Sequence, residues 1–291
     1  MPTIASILKQ QAAHPQIPVA FVGLPGAGKT AQIEDWCEKN SKVCVKILAS
    51  TMDTTDVAGI IVSTAEKRVV KVDGELTIQT VGKGSAEQLS PKWSTYLENG
   101  GVLFLDELNC AMKEVQDTLL SLIHSRHFPN GDRLHPQVQI VAAMNDSVQC
   151  NNYVLSPAMR NRFAWYTVQP SMKQWLHWAS KQLSEEFNVF LFRAVGGGLK
   201  FSTDADFMDE TQLLFCTPRS LWNCIEWSNK DVKQFLTNMN NFLPKPVSII
   251  FKAVDKEAIA DRSNAVFNRL RAEIQNVQDF DEILEKADSD V

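Results

Sequence analysis

Gly23-Leu24-Pro25-Gly26-Ala27-Gly28-Lys29-Thr30 fits the spacing GxxxxGK[ST], which is suited to holding phosphate. Glycines let successive backbone N–H groups turn inward onto phosphate oxygens, and a helix opening directly after them adds its positive end. Lys29 supplies a charge for the β and γ oxygens, and Thr30 supplies a hydroxyl for Mg²⁺. Gly23, Pro25, Gly26, Ala27, Gly28, Lys29, Thr30 and Ala31 are therefore the candidate nucleotide contacts.

Gly100-Gly101 leads into Val102-Leu103-Phe104-Leu105-Asp106-Glu107. An apolar strand delivers Asp106 to its carboxyl end, where a carboxylate can hold Mg²⁺. Glu107 stands one residue on, where it can take a proton from an attacking water, as hydrolysis requires. The run Val138 to Ala143 ends in Met144-Asn145-Asp146, and the Asn145 amide can bond both a γ phosphate and the water that attacks it. Arg160 and Arg162 precede a further strand in Ser156-Pro157-Ala158-Met159-Arg160-Asn161-Arg162-Phe163, and Arg219 stands at a helix start in Thr217-Pro218-Arg219-Ser220. A guanidinium near the γ phosphate stabilises transition-state charge, worth roughly 10³ to 10⁵ in rate. Taken singly, each arginine is an ordinary surface residue; the ordered set gives them meaning.

The elements that must position these groups follow from the apolar pattern. Val19 to Val22, Val43 to Leu48, Val102 to Leu105, Val138 to Ala143 and Phe163 to Val168 alternate with helical patterns, which predicts an α/β fold with a five-stranded, mostly parallel sheet. Asp73-Gly74 between Val69 to Val72 and Leu76 to Gln79 predicts a hairpin, and Asn130-Gly131 marks a second. Beyond Pro170 only helical periodicity remains, in Met172, Trp175, Leu176 and Ala179 and in Leu221, Cys224, Ile225 and Ser228. The expected organisation is a nucleotide-binding core over 1–169, a helical lid over 170–254 and a charged helical extension over 255–291, with Val266, Phe267, Leu270, Ile274 and Val277 on one face. Trp175, Trp178, Trp222 and Trp227 are expected in the lid core.

Composition excludes several classes. The 291 residues carry 29 Lys plus Arg against 34 Asp plus Glu, a net charge of -5, so bulk charge does not hold this chain on nucleic acid. No apolar stretch approaches the roughly 18 residues that span a bilayer, and the start lacks a basic flank before an apolar run, which predicts a cytoplasmic protein without a membrane segment. The six cysteines, Cys37, Cys44, Cys110, Cys150, Cys216 and Cys224, form no CxxC pair and read as reduced thiols. His124, His127 and His135 lack a completing ligand for a metal, and Lys67, Arg68 and Lys71, beside Asp73 and Glu75, read as a solvated hairpin.

Together the motifs resemble the AAA+ ATPases and, within them, the MoxR-like group. Residues 23–30 look like the Walker A motif, 104–111 like Walker B with its following Asn-x-Ala, and 141–145 like the sensor 1 strand. Residues 156–163 resemble the arginine-finger segment, 217–220 the sensor 2 motif, and 52–59 a segment found after the second strand of that group. The resemblance implies a P-loop NTPase αβα core with a five-stranded parallel sheet, a smaller helical lid, ATP and Mg²⁺ as cofactors, and a ring, commonly a hexamer. It implies that Lys29 and Thr30 bind phosphate and Mg²⁺, that Asp106 is the acid on the Mg²⁺ side, and that Glu107 is the base. Asn145 orients the water, and Arg219 is sensor 2. Arg162, directly before Phe163, is the finger offered to a neighbouring subunit, with Arg160 as the second candidate. The hairpins match insertions that face a central pore, whereas Leu243-Pro244-Lys245-Pro246-Val247 departs from the glycine-containing close of the family's lid. The expected function is Mg²⁺-dependent ATP hydrolysis driving remodelling or maturation of a protein client, with a von Willebrand type A domain protein as a companion. A nucleic-acid motor or loader and a slow nucleotide-gated binding switch are the alternatives.

Overall fold

The computed structural model describes residues 2–64, 67–72, 75–80, 85–145, 155–209 and 212–260. The turn at 73–74, Cys150 and the charged stretch from 261 onward lie outside the described residues. Five strands, β1 (Val19–Gly23), β2 (Cys44–Leu48), β7 (Gly101–Asp106), β8 (Val138–Met144) and β9 (Ala164–Val168), form one sheet in the order β2-β7-β8-β1-β9. Each neighbouring pair is parallel. Parallel strands need crossovers over the sheet faces, so the central ones are buried on both sides and read as unbroken apolar runs. Every residue of β8 is buried, as is β7 up to Leu105.

The pleat divides these strands between two cores. Val19, Phe21, Val102, Phe104, Val141 and Ala143 face helices α1 (Ile4–Ala13) and α2 (Lys29–Lys39), meeting Ile4, Ile7, Leu8, Ile33 and Trp36. Their alternates Ala20, Leu103, Leu105, Ile140 and Ala142 face the other way, against Val57 of α3 (Thr54–Ala58) and Val115, Leu119, Leu122 and Ile123 of α4 (Lys113–Ser125). This is a P-loop NTPase αβα core. α1 starts where Thr3 accepts a hydrogen bond from the Ser6 amide and buries residues 4, 7, 8 and 11, the spacing of one helix face.

Between α3 and β7 the chain forms two antiparallel ribbons. Strand β3 (Ile60–Thr64) pairs with β6 (Ser85–Leu89), and β4 (Lys67–Val72) pairs with β5 (Glu75–Thr80), with Val72 opposite Glu75. The second ribbon has the hairpin register that Asp73-Gly74 predicts; the first had no signal in the sequence. Around Asn130-Gly131 there is a tight turn with a single antiparallel bridge, His127 to Arg133, rather than a pair of strands. Gly131 takes φ 92° there, and the Phe128 N–H donates to Asp132 O at 2.8 Å.

The described residues form two compact units, one of 2–23 with Lys29–Val168, the other of Leu24–Gly28 with 169–260. After α5 (Pro157–Arg160) in the first unit, the second carries α6 (Met172–Ser180), α7 (Glu185–Gly196), α8 (Asp204–Met208), α9 (Pro218–Trp227), α10 (Val232–Asn238) and α11 (Lys245–Ala260). Its core is aromatic: Phe187 lies 5.5 Å from Phe235, Phe235 4.8 Å from Phe251, and Phe190 stacks on Phe251 at 5.4 Å. Pro244 and Pro246 flank the start of α11, where a missing N–H costs nothing, and Leu243 and Val247 are buried beside them. The tryptophans divide. Trp175 is buried and Trp222 packs on the core, whereas Trp178 is 43% and Trp227 69% exposed. Trp222 and Trp227 lie about 140° apart around the helix, on opposite flanks of the face of Leu221, Cys224 and Ile225, and only the Trp222 flank is covered.

Candidate active site

In a parallel sheet all carboxyl ends lie along one edge, and the register decides which residues meet there. Val22 pairs with Met144, Asp106 with Ala143, and Leu48 with Asp106. Residues following β2, β7 and β8 therefore emerge side by side next to the end of β1. Gly23 closes β1 opposite Val168, so near that a Cβ would stand 2.1 Å from the Val168 carbonyl oxygen. Only glycine fits this position.

Lys29, at the first position of α2 and 7% exposed, donates to Gly23 O at 2.9 Å and to Asn145 Oδ1 at 3.0 Å. Its ammonium is thus held at the mouth of the phosphate loop, with the Asn145 amide beside it. The Thr30 hydroxyl donates to Asp106 Oδ2 at 3.0 Å. A hydroxyl and a carboxylate are hard oxygen donors, and together they fit a partial shell for Mg²⁺ completed by water and phosphate. Among the described residues no group of three or more His, Cys, Asp or Glu forms an all-protein metal cage.

Glu107 takes the left-handed conformation, φ 54° and ψ 39°, and its amide donates to Asp106 Oδ1 at 3.1 Å. That turn swings the Glu107 carboxylate away from the strand direction and toward the end of β2, where it accepts from Ser50 Oγ at 2.8 Å. Asn109 Nδ2 donates to the Asn145 carbonyl at 3.1 Å and so fixes the segment that carries the Asn145 amide. Lys46 reaches Asp106 Oδ2 at 3.8 Å and Glu34 at 3.0 Å. The sequence gives no signal for Ser50 or Lys46 as members of this site. What would have exposed them is the adjacency of β2 and β7, which the order of strands along the chain conceals.

Arg160 and Arg162 lie elsewhere. They precede the amino end of β9, where the Ala164 N–H donates to Pro18 O, just before β1 begins. The phosphate loop follows the carboxyl end of β1, five strand residues away, or about 16 Å at roughly 3.3 Å per residue. Arg160 is exposed. The Arg162 Nε is buried and has no hydrogen-bond partner among the described residues.

The second unit takes in part of the phosphate loop. There Gly26, at φ 72°, accepts from the Arg219 N–H at 3.3 Å, and a Cβ on Gly26 would stand 2.7 Å from Thr217 Oγ1. Thr217 caps α9, accepting from the Ser220 amide at 3.0 Å, with Pro218 at the first helical position. Arg219 is exposed in the first turn of that helix.

Comparison with known proteins identifies the family. The family model described as AAA domain (dynein-related subfamily) matches residues 18–163, half of the chain. The chain belongs to the AAA ATPases. Its matched span begins one residue before β1 and ends one residue before β9, so the AAA domain takes in the phosphate loop, Asp106, Glu107, Asn145 and both arginines. No curated protein matches the chain. Among solved structures, the chain is similar to one described as a "putative ATPase" from Cytophaga hutchinsonii ATCC 33406, with 16% identity and a TM-score of 0.37. That match covers 56% of this chain and 45% of the other, so this AAA chain spans under half the length of that relative. No helix among the described residues is long and apolar enough to cross a membrane.

Proposed function

We propose that this AAA ATPase hydrolyses ATP with Mg²⁺ inside an oligomeric ring of MoxR-like type, a hexamer as is common in the family, and that turnover remodels or matures a protein client in the cytoplasm. Lys29 holds the β and γ phosphates, Thr30 and Asp106 hold Mg²⁺, Glu107 accepts the proton of the attacking water, and Asn145 orients that water. The Mg²⁺ ion supplies charge neutralisation of the phosphates when bound. Gly23, Pro25, Gly26, Ala27, Gly28 and Ala31 complete the nucleotide contacts, and Arg219 acts as sensor 2. The division at 169/170 into core and lid belongs to the same reading, with the two compact units parting one residue earlier in its favour; the separate extension from 255 has no such support, because α11 (Lys245–Ala260) runs through that point. A von Willebrand type A domain protein is the proposed companion.

The observation that carries the ring is the placement of Arg162. An arginine at the amino edge of the sheet, about 16 Å along β1 from its own phosphate loop, is badly placed for its own nucleotide, which favours a role at the nucleotide of a neighbour. Among the described residues its buried Nε has no hydrogen-bond partner, so no ion pair seen within the subunit accounts for this arginine. The experiment mixes Arg162→Ala with Lys29→Ala subunits and follows ATPase rate against mixing ratio at fixed total protein. Each parent should be nearly inactive and mixtures should regain activity, because some interfaces pair an intact loop with an intact arginine. Arg160→Ala, run in parallel, decides between the two arginines. Mixtures that co-assemble yet stay at the level of the parents would remove the trans role.

A further inference from the structure

Two thiols that the active site does not use meet at the far end of α2. The helix closes with paired backbone bonds: Lys42 N–H donates to Cys37 O at 2.9 Å, and Ser41 N–H donates to Glu38 O at 3.1 Å. Ser41 sits at φ 51°, the left-handed position that ends such a helix. This tight closure turns the chain straight back into β2, whose first residue is Cys44. Cys37 is 2% exposed, in the cluster with Ile33, Trp36 and Phe104, and Cys44 packs on that cluster while keeping partial access to solvent. Their side chains are hydrogen-bonded to each other.

The two sulfurs are not equivalent. Lys46, two residues along β2 and therefore on the same strand face, favours a negative charge at Cys44, and Glu34 opposes it. Lys46 is itself paired with Glu34 at 3.0 Å. The hydrogen bond from Cys37 is the largest influence and draws the Cys44 thiol below its ordinary range. The same bond, with burial, pushes the Cys37 thiol upward. The pair thus has a partly buried sulfur that ionises first and a fully buried one that keeps its proton, an arrangement suited to attack followed by resolution.

We propose that Cys37 and Cys44 form an oxidation site, at which a hydroperoxide converts the two thiols into an intramolecular disulfide. The Cys44 thiolate attacks a peroxide oxygen; an S–O bond forms, the O–O bond breaks, and hydroxide leaves. The Cys37 sulfur then attacks the Cys44 sulfenic acid; the S–S bond forms, the S–O bond breaks, and the hydroxyl departs as water with the Cys37 proton. Two thiols have lost two electrons and two protons, and hydrogen peroxide has become two waters. The product fastens the last turn of α2, whose first turn carries Lys29 and Thr30, to the strand that pairs with β7.

Tryptic mapping of the full chain without reductant tests this directly. Cleavage after Lys29, Lys39, Lys42 and Lys46 separates the two cysteines onto the peptides Thr30–Lys39 and Val43–Lys46. After a modest excess of hydrogen peroxide and then iodoacetamide, most of the Cys44 signal should appear as these two peptides joined, lighter by two hydrogens, and reduction should separate them. In Cys37→Ser the resolving thiol is gone, so dimedone should trap Cys44 as the sulfenic acid. In Cys44→Ser, Cys37 should remain a free thiol through the same treatment. The proposal falls if Cys37 and Cys44 remain alkylatable in the wild-type chain while other cysteines oxidise. It falls equally if Cys44 joins a different cysteine, or if Cys37 oxidises as readily without Cys44 as with it.

Discussion

Replacing Ser50 with alanine should raise the basal ATPase rate. The Ser50 hydroxyl donates to Glu107 Oε2 at 2.8 Å, and a hydrogen bond to an ionised carboxylate contributes about 1.5–3 kcal/mol. The bond is partly buried, so water competes with it and the lower end applies. At about 1.4 kcal/mol per tenfold, the bond biases Glu107 toward Ser50 by roughly ten to one over orientations free to meet a water at the γ phosphate. Removing it should increase turnover by a few-fold, to a ceiling of about tenfold, because freeing the side chain restores only the population the bond held back. Lys29 and Thr30 are untouched, so ATP affinity should not change. Steady-state phosphate release at saturating ATP and Mg²⁺, with ATP binding measured in parallel, separates the two quantities, and Ser50→Thr should return the wild-type rate because it keeps the hydroxyl. A Ser50→Ala chain that binds ATP normally and turns over at or below the wild-type rate would refute the reasoning. Ser50 would then hold Glu107 in its working position instead of away from it.

The remaining expectations address the same edge of the sheet and the buried thiols. Glu107→Gln should bind ATP with Mg²⁺ and hold it, with hydrolysis down by about 10² to 10⁴, since an amide fills the same space but accepts no proton; single-turnover assays with radiolabelled ATP would read this. Lys46→Met should lower the Mg²⁺ concentration for half-maximal turnover by about two- to fivefold, because a cation 3.8 Å from Asp106 Oδ2 no longer opposes the ion; a titration showing the same or a higher Mg²⁺ requirement would contradict it. Burial pushes the Cys216 and Cys224 thiols up to about 12, so both should stay protonated and resist iodoacetamide at pH 8 in the folded chain, then react once urea unfolds it.

The five-stranded sheet was legible because its central strands are buried on both faces and leave unbroken apolar runs in the sequence. The ribbon of β3 and β6 was not, because its residues obey neither that rule nor strict alternation. Ile60 and Ile61 are consecutive and both more than 60% exposed, and their partner strand reads Ser85-Ala86-Glu87-Gln88-Leu89. A sequence reading has nothing to hold there, whereas Asp73-Gly74 announces the next ribbon through its turn chemistry. The tryptophans were misread for a related reason. Large aromatic residues at short spacing suggest a core, but the helix rotates about 100° per residue, which puts Trp227 about 120° from Leu221 and about 160° from Ile225, and its side chain is 69% exposed.

The candidate site divides along the same line between what is local and what is not. The phosphate loop, Asp106 and Glu107 each announce themselves by neighbours in sequence: glycines before a helix, carboxylates after an apolar run. Ser50 and Lys46 have no such neighbours, since nothing in Lys46-Ile47-Leu48-Ala49-Ser50 differs from many strand ends. They belong to the site because β2 pairs with β7 in parallel and Leu48 falls opposite Asp106. With that register, Lys46 comes within 3.8 Å of the Asp106 carboxylate, and Ser50, two residues past the strand, stands beside the residue that follows Asp106. Glu107 completes the meeting by adopting the left-handed conformation, which for a residue with a Cβ costs roughly 1–2 kcal/mol and turns its carboxylate toward β2. Strand order is a long-range property, set by the crossovers and by which helices cover each face. A linear motif therefore names the candidate groups for phosphate and metal, while the groups that restrain them emerge only once the sheet is assembled.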